Sequence, residues 1–131
     1  MPELQSIAIN DREATPVTHT FTPRSKDNGI GVCGESSGVP LGENTLSVSM
    51  RRAGTKYKGR LRIAMPVVVT QTIDSVDSPL VTRTAYADLQ VSFDQSSSTQ
   101  ERDNLIGLLA DSLATSKVLV NDALVELEGV Y

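Results

Sequence analysis

The chain has 131 residues, twelve Lys and Arg against sixteen Asp and Glu, a net charge of −4, a single cysteine and no tryptophan. That length predicts one domain, 1–131, with an aliphatic core of Val, Leu, Ile and Ala. A lone Cys33 excludes an intrachain disulfide, and no CxxC or histidine cluster suggests a metal or cofactor site. The longest apolar run, Ala64 to Val69, is too short to span a bilayer. No basic-then-apolar leader opens the chain, so a soluble, cytosolic protein without membrane partners is expected.

Leu4 to Asn10 alternates weakly, Asp11 to Pro16 is turn-like, and Val17 to Thr22 alternates again, which predicts an N-terminal hairpin over 1–23. His19 shares a face with Val17 and Phe21 and reads as a partly buried structural histidine, with no recognisable Ser, Cys or carboxylate constellation around it. Arg24 to Gly31 reads as a polar loop, 31–37 as a short strand with Cys33 as core filler, and Gly38 to Gly42 as a turn-rich connection. The glycines at 29, 31 and 34 do not make a phosphate loop, because no Gly-Lys-Ser/Thr follows.

The most informative stretch is 44–92. Thr45, Ser47, Ser49 and Arg51 alternate with Leu46, Val48 and Met50; Lys58, Arg60 and Arg62 alternate with Leu61 and Ile63; Tyr86, Asp88, Gln90 and Ser92 alternate with Ala87, Leu89, Val91 and Phe93. Strand side chains alternate between faces, so these runs predict a sheet over 31–96 with one apolar face. Its other face carries hydroxyls, cations and an aromatic ring. Six of the twelve cations fall between 51 and 62 with no acid among them. Such a local basic strip outweighs net charge as an electrostatic footprint, and the face reads as a surface built to hold RNA. Pro66 is expected to break the second run at a bulge, bend or edge. About ten residues around Ile73 to Pro79 read as a loop.

The period changes at Ser96. Ser98-x-x-Glu101 forms a capping box signature, Leu105, Leu108, Leu109 and Leu113 recur at helical spacing, and Ser116 and Gly129 are expected to cap and stop a second helix. Two short helices over 98–128 cannot cover such a sheet unaided, which calls for a dimer whose helices cover the partner's sheet.

The run Val81-Thr82-Arg83-Thr84-Ala85-Tyr86-Ala87-Asp88, the run Ser98-Thr99-Gln100-Glu101-Arg102 and the ending Gly129-Val130-Tyr131 closely resemble the coat proteins of small single-stranded RNA bacteriophages, the levivirus group. Asp11 to Pro16 and Gly38 to Glu43 look like one branch of it, and the resemblance spans essentially the whole chain. It implies an α+β fold: an N-terminal β-hairpin, a five-stranded antiparallel sheet and two C-terminal helices, intertwined as a dimer with a ten-stranded sheet. It further implies assembly of dimers into an icosahedral shell in the bacterial cytoplasm, and packaging of viral genomic RNA in a virion that also holds a maturation protein. The dimer is implied to bind a stem-loop at the start of the replicase gene and repress its translation. By the same resemblance the RNA-binding residues are Thr45, Ser47, Ser49, Arg51, Lys58, Arg60, Arg62, Tyr86, Asp88 and Gln90. The cations would neutralise phosphates, Tyr86 would stack on an unpaired base, and Ser47, Ser49 and Asp88 would read base edges. Members of this type often carry threonine in place of Arg60, in an adenine pocket. Thr72, Ile73, Asp74, Ser75, Val76, Asp77, Ser78 and Pro79 correspond to the loop that gathers around the capsid axes, here without the cysteines that crosslink some relatives. An enzyme is not expected, since no nucleophile is paired with a base. The competing reading is a dimeric RNA-binding regulatory module that forms no shell.

Overall fold

The computed structural model describes residues 3–27, 29–36 and 42–130, with the backbone alone described at 71, 73 and 78–81. The expected turn at 38–42 therefore lies outside the described residues except for Gly42. Six strands follow in order: β1 (Ile7–Asn10), β2 (Thr18–Asp27), β3 (Ile30–Glu35), β4 (Asn44–Ala53), β5 (Lys56–Ile73) and β6 (Val76–Asp94). They form one sheet in the order β1-β2-β3-β4-β5-β6, a meander in which every strand neighbours the next in sequence. Two helices complete the chain, α1 (Thr99–Ser112) and α2 (Val118–Leu124). Backbone contacts divide the chain into two compact units, Met1–Ser92 and Phe93–Tyr131.

Three expectations about the strands are corrected. Arg24 to Asp27 is not loop: β2 runs through Pro23, and a register shift between Pro23 and Ser25 absorbs the missing N–H before pairing resumes at Ser25↔Val32. Pro66 does not break β5. The described ladder with β4 ends at Thr45↔Ala64, so Pro66 sits where β5 has outrun that neighbour and no bond to β4 is lost. Nor is 72–79 a long loop. Asp74 and Ser75, with φ of 51° and 64°, make a two-residue turn between Ile73 and Val76, the backbone that a tight hairpin requires. Thr72 donates to Asp77 Oδ1 across it at 2.7 Å. The side chains of Ile73, Ser78 and Pro79 lie outside the described residues.

Another tight turn, between β4 and β5, puts Gly54 at φ 64°. Gly59, opposite Met50, leaves room that a Cβ would take from both Met50 Cε and Val91 Cγ2, 2.8 and 2.9 Å from where it would sit.

The core lies under the first four strands. Phe21, Cys33 and Leu46 are 3, 3 and 5 % exposed, with Leu4, Ile9, Leu61 and Ile63 packed around them. Cys33 is thus the small core filler expected. Polar ties hold the hairpin to this sheet. Asp11 Oδ1 accepts from the backbone N–H of Val17 at 2.9 Å and of Glu13 at 3.2 Å. Its other oxygen lies 2.7 Å from His19 Nε2, while His19 Nδ1 lies 2.7 Å from Glu35 Oε1. Asn44 donates to Glu35 Oε2 at 3.0 Å. His19 is structural, as expected, but it does have a carboxylate constellation, assembled from the hairpin loop and β3. The hydrogen bonds that the ring makes to Asp11 and then to Glu35 push its pKa up from 6.5. Asp11 is held below 3.8, by the Val17 N–H first and His19 second.

In the C-terminal unit, Ser98 caps α1 by accepting from the Glu101 N–H at 3.2 Å, the serine half of the expected capping box. Arg102 ties back to Ser97 O at 2.7 Å and to Thr99 Oγ1 at 3.1 Å. The second helix departs from expectation at both ends. Lys117, not Ser116, is its N-cap and makes no side-chain cap bond. It ends at Leu124, well before Gly129, and Leu127 then takes φ 61°, a conformation that halts a helix without glycine.

Candidate nucleic-acid interface

Cross-strand partners in an antiparallel pair share a face, so register decides which side chains meet. Between β4 and β5 it pairs Ser47 with Arg62, Ser49 with Arg60 and Arg51 with Lys58, and Thr45 with Ala64. All seven candidate residues of these two strands therefore stand on one face. From β3 the same register adds Ile30 opposite Ser49 and Val32 opposite Ser47. Ile30 is exposed and supplies an apolar patch beside the hydroxyls. The sequence reading missed it by starting the strand at Gly31, although the alternation Ile30, Val32, Gly34 carried the signal.

On β6, Tyr86 and Asp88 meet β5 directly. The Arg62 guanidinium lies over the Tyr86 ring, 5.3 Å from its centre, a cation–π arrangement. Arg60 grips Asp88 with two parallel bonds, Nε to Oδ1 at 2.8 Å and Nη2 to Oδ2. The Arg60 bonds, and more weakly the charge of Arg62, hold the Asp88 carboxyl below 3.8, so it stays ionised. Gln90 is exposed, and alternation places it on the face of Asp88. Among the described residues Arg51 and Lys58 form no ion pair. The basic strip is thus partly balanced: an acid 28 residues away in sequence neutralises Arg60, while of the other candidate cations Arg51, Lys58 and Arg62 form no ion pair among the described residues. The tip at 72–79 belongs to the far end of the β5–β6 hairpin, away from this strip.

Hydroxyls, three cations and one exposed ring on a sheet face can hold a phosphate backbone and stack an unpaired base. No group of three or more His, Cys, Asp or Glu among the described residues could hold a metal, and no helix there is long and apolar enough to cross a membrane.

The chain has a fold of the α+β class, a mostly antiparallel sheet followed by two helices, with a cationic and hydroxyl-bearing face on the sheet. Its sequence matches the model of the levivirus coat protein over residues 2–131. It is 42 % identical over 130 residues to the capsid protein of Pseudomonas phage PRR1, covering 98 % of this chain and 99 % of that one. It is 35 % identical over 123 residues to the capsid protein of Qbeta virus (strain MX1), covering 86 and 91 %. In fold it is similar to a chain solved as the virus-like particle of bacteriophage NT-214, with a TM-score of 0.85, 20 % identity and coverage of 99 and 100 %. The chain belongs to the levivirus coat protein family. It is a capsid protein and hence a virion component, in a family of structural proteins rather than enzymes.

Proposed function

We propose that this coat protein dimerises and assembles as one domain into an icosahedral shell around viral genomic RNA, in the cytoplasm of its bacterial host. As a dimer it binds a stem-loop at the start of the replicase gene and represses translation. The observation that carries the RNA reading is the register-matched face on which Ser47, Ser49, Lys58, Arg62 and Tyr86 stand together. Lys58, Arg51 and Arg62 meet phosphates, Tyr86 stacks a loop base, and Thr45, Ser47, Ser49, Asp88 and Gln90 lie within the same patch to contact base edges. Supporting the dimer is the apolar surface left open in one chain: Val48 and Met50 on the sheet, and Leu108, Leu119 and Leu124 on the helices, more than a monomer leaves to water. A ten-stranded sheet, with each subunit's helices covering its partner, would close it. Supporting the shell are relatives solved as virus-like particles. The hairpin tip at 72–79 is its contact around the capsid axes. A maturation protein as a further virion partner rests on family membership alone.

Light-scattering mass, read with the ratio of nucleic-acid to protein absorbance on chain expressed in bacteria, tests this. A very large, uniform, RNA-rich particle is expected. A nucleic-acid-free dimer would overturn the shell in favour of a regulatory RNA-binding module, and a dilution-resistant monomer would overturn both.

A further inference from the structure

Asp88 occupies only one edge of Arg60. It engages Nε and one hydrogen of Nη2, which leaves both Nη1 hydrogens and the second Nη2 hydrogen. Those remaining donors form another parallel fork. The pair is open to a ligand, its side chains being 47 and 37 % exposed. The clamp also fixes the orientation of a side chain that would otherwise sample many rotamers, so the free edge is presented in advance.

The ligand for that edge is set by charge and shape. A phosphate attracted to Arg60 would be repelled by the adjoining Asp88 carboxylate, so the neutral pair is a poor phosphate clamp. Two parallel N–H donors beside a carboxylate suit an uncharged group with two adjacent acceptors. Guanine offers N7 and O6 together. Adenine offers N7 beside an amine that would face a donor, and uracil's O4 has no acceptor next to it on that edge. Unpaired cytosine does present N3 and O2. Its single ring, however, covers less of the neighbouring Tyr86, over which Arg62 lies, and stacking strength ranks bases on such platforms. We propose that Arg60, positioned by Asp88, is the specificity-determining residue of this face and takes the N7/O6 edge of an unpaired guanine in the RNA loop. This rests on the RNA-binding reading above and goes beyond it by naming the base. Asp88 is then a positioning residue rather than a reader of base edges.

The test uses the full chain and a library of RNA stem-loops with one stem and a randomised loop, sequencing the bound fraction. Guanine is expected at one loop position. Replacing that guanine by 7-deazaguanine, which lacks only the N7 acceptor, is expected to weaken binding by about tenfold. Asp88→Asn frees Arg60 to meet phosphate. It should reduce guanine-over-adenine discrimination and steepen the slope of log affinity against log salt by about 0.7, one added phosphate contact. A merely structural ion pair would move neither. Enrichment of adenine or cytosine, or equal binding of the deaza hairpin, while Lys58→Ala still weakens binding, would overturn the guanine assignment alone. Binding of no hairpin above background, with Lys58→Ala and Tyr86→Ala without effect, would overturn the RNA-binding reading and this inference with it.

Discussion

Leu46 and Val48 stand two residues apart on β4 and face the same way, yet Leu46 is 5 % exposed and Val48 50 %; Met50, the next on that face, is 51 % exposed. One end of the sheet is finished within a single chain. Phe21 and Cys33 close over Leu46, and Asp11, His19, Glu35 and Asn44 tie the hairpin down beside them. Further along β4 the same apolar face is left open at Val48 and Met50. The difference lies in the neighbouring strand: β3 brings a buried cysteine opposite Leu46, but glycine opposite Val48. A strand whose alternation continues beyond its own cover is a strand built for more than one chain, which is why the dimer proposal begins here.

The comparison can be broken by substitution at its two ends. Phe21→Ala, in the finished end, should cost about 3–5 kcal/mol by opening a cavity, the largest effect expected, and by the same amount at every protein concentration if dimerisation is unaffected. Val48→Ser should cost little in a monomer but shift the melt in a concentration-dependent way if a second copy covers it. Chemical denaturation of both variants at two concentrations checks this. A Val48→Ser loss below about 0.5 kcal/mol throughout would leave the bare face bare and remove its support for the dimer. On the opposite face, Tyr86→Ala should weaken stem-loop binding by about 1–3 kcal/mol and leave thermal stability nearly unchanged, because the ring is exposed. A filter-binding titration beside a thermal melt separates the two. In the C-terminal unit, where Leu105, Ile106 and Leu108 of α1 are also exposed, α1 leans on its cap. Ser98→Ala should cost about 1 kcal/mol, visible as lost helicity in circular dichroism, and no loss would mean that Arg102 alone holds the first turn.

The features legible in the sequence were those carried by period. Strict alternation in β4, around Lys58 to Ile63 and in β6 displayed both faces, and Ser98 announced α1. Features resting on register or on unaided turns were not. No glycine marks the Asp74-Ser75 turn, so β-branched residues on both sides read as the rims of a loop. Ser116 carries the usual capping side chain, yet the helix starts one residue later, at a lysine that caps nothing. Arg60 and Asp88 each looked like an independent contact because the pair that joins them forms only when β5 lies beside β6. His19 shows the same limit: its carboxylates lie eight residues before it and sixteen after it, and only the β1–β2 and β2–β3 pairings bring them to one ring.

That histidine gives the finished end a dependence on pH near neutrality. Its pKa is raised above 6.5 by the bonds it makes to Asp11 and Glu35. Its stabilising contribution is therefore fully present below about pH 6.5 and lost as the pH climbs through the raised value. Asp11, lowered below 3.8, contributes above that value, and its share is lost as acid protonates it. The clasp should be tightest between these limits. His19→Ala should then lower the melting temperature most near about pH 5–6 and progressively less in alkali, whereas the loss caused by Phe21→Ala should barely change over the same range. An imidazole titration by NMR should find His19 charged above its ordinary midpoint. If His19→Ala cost as much at about pH 9 as at the optimum, the ring would be holding the hairpin by packing alone, and the two carboxylates beside it would be neighbours rather than partners.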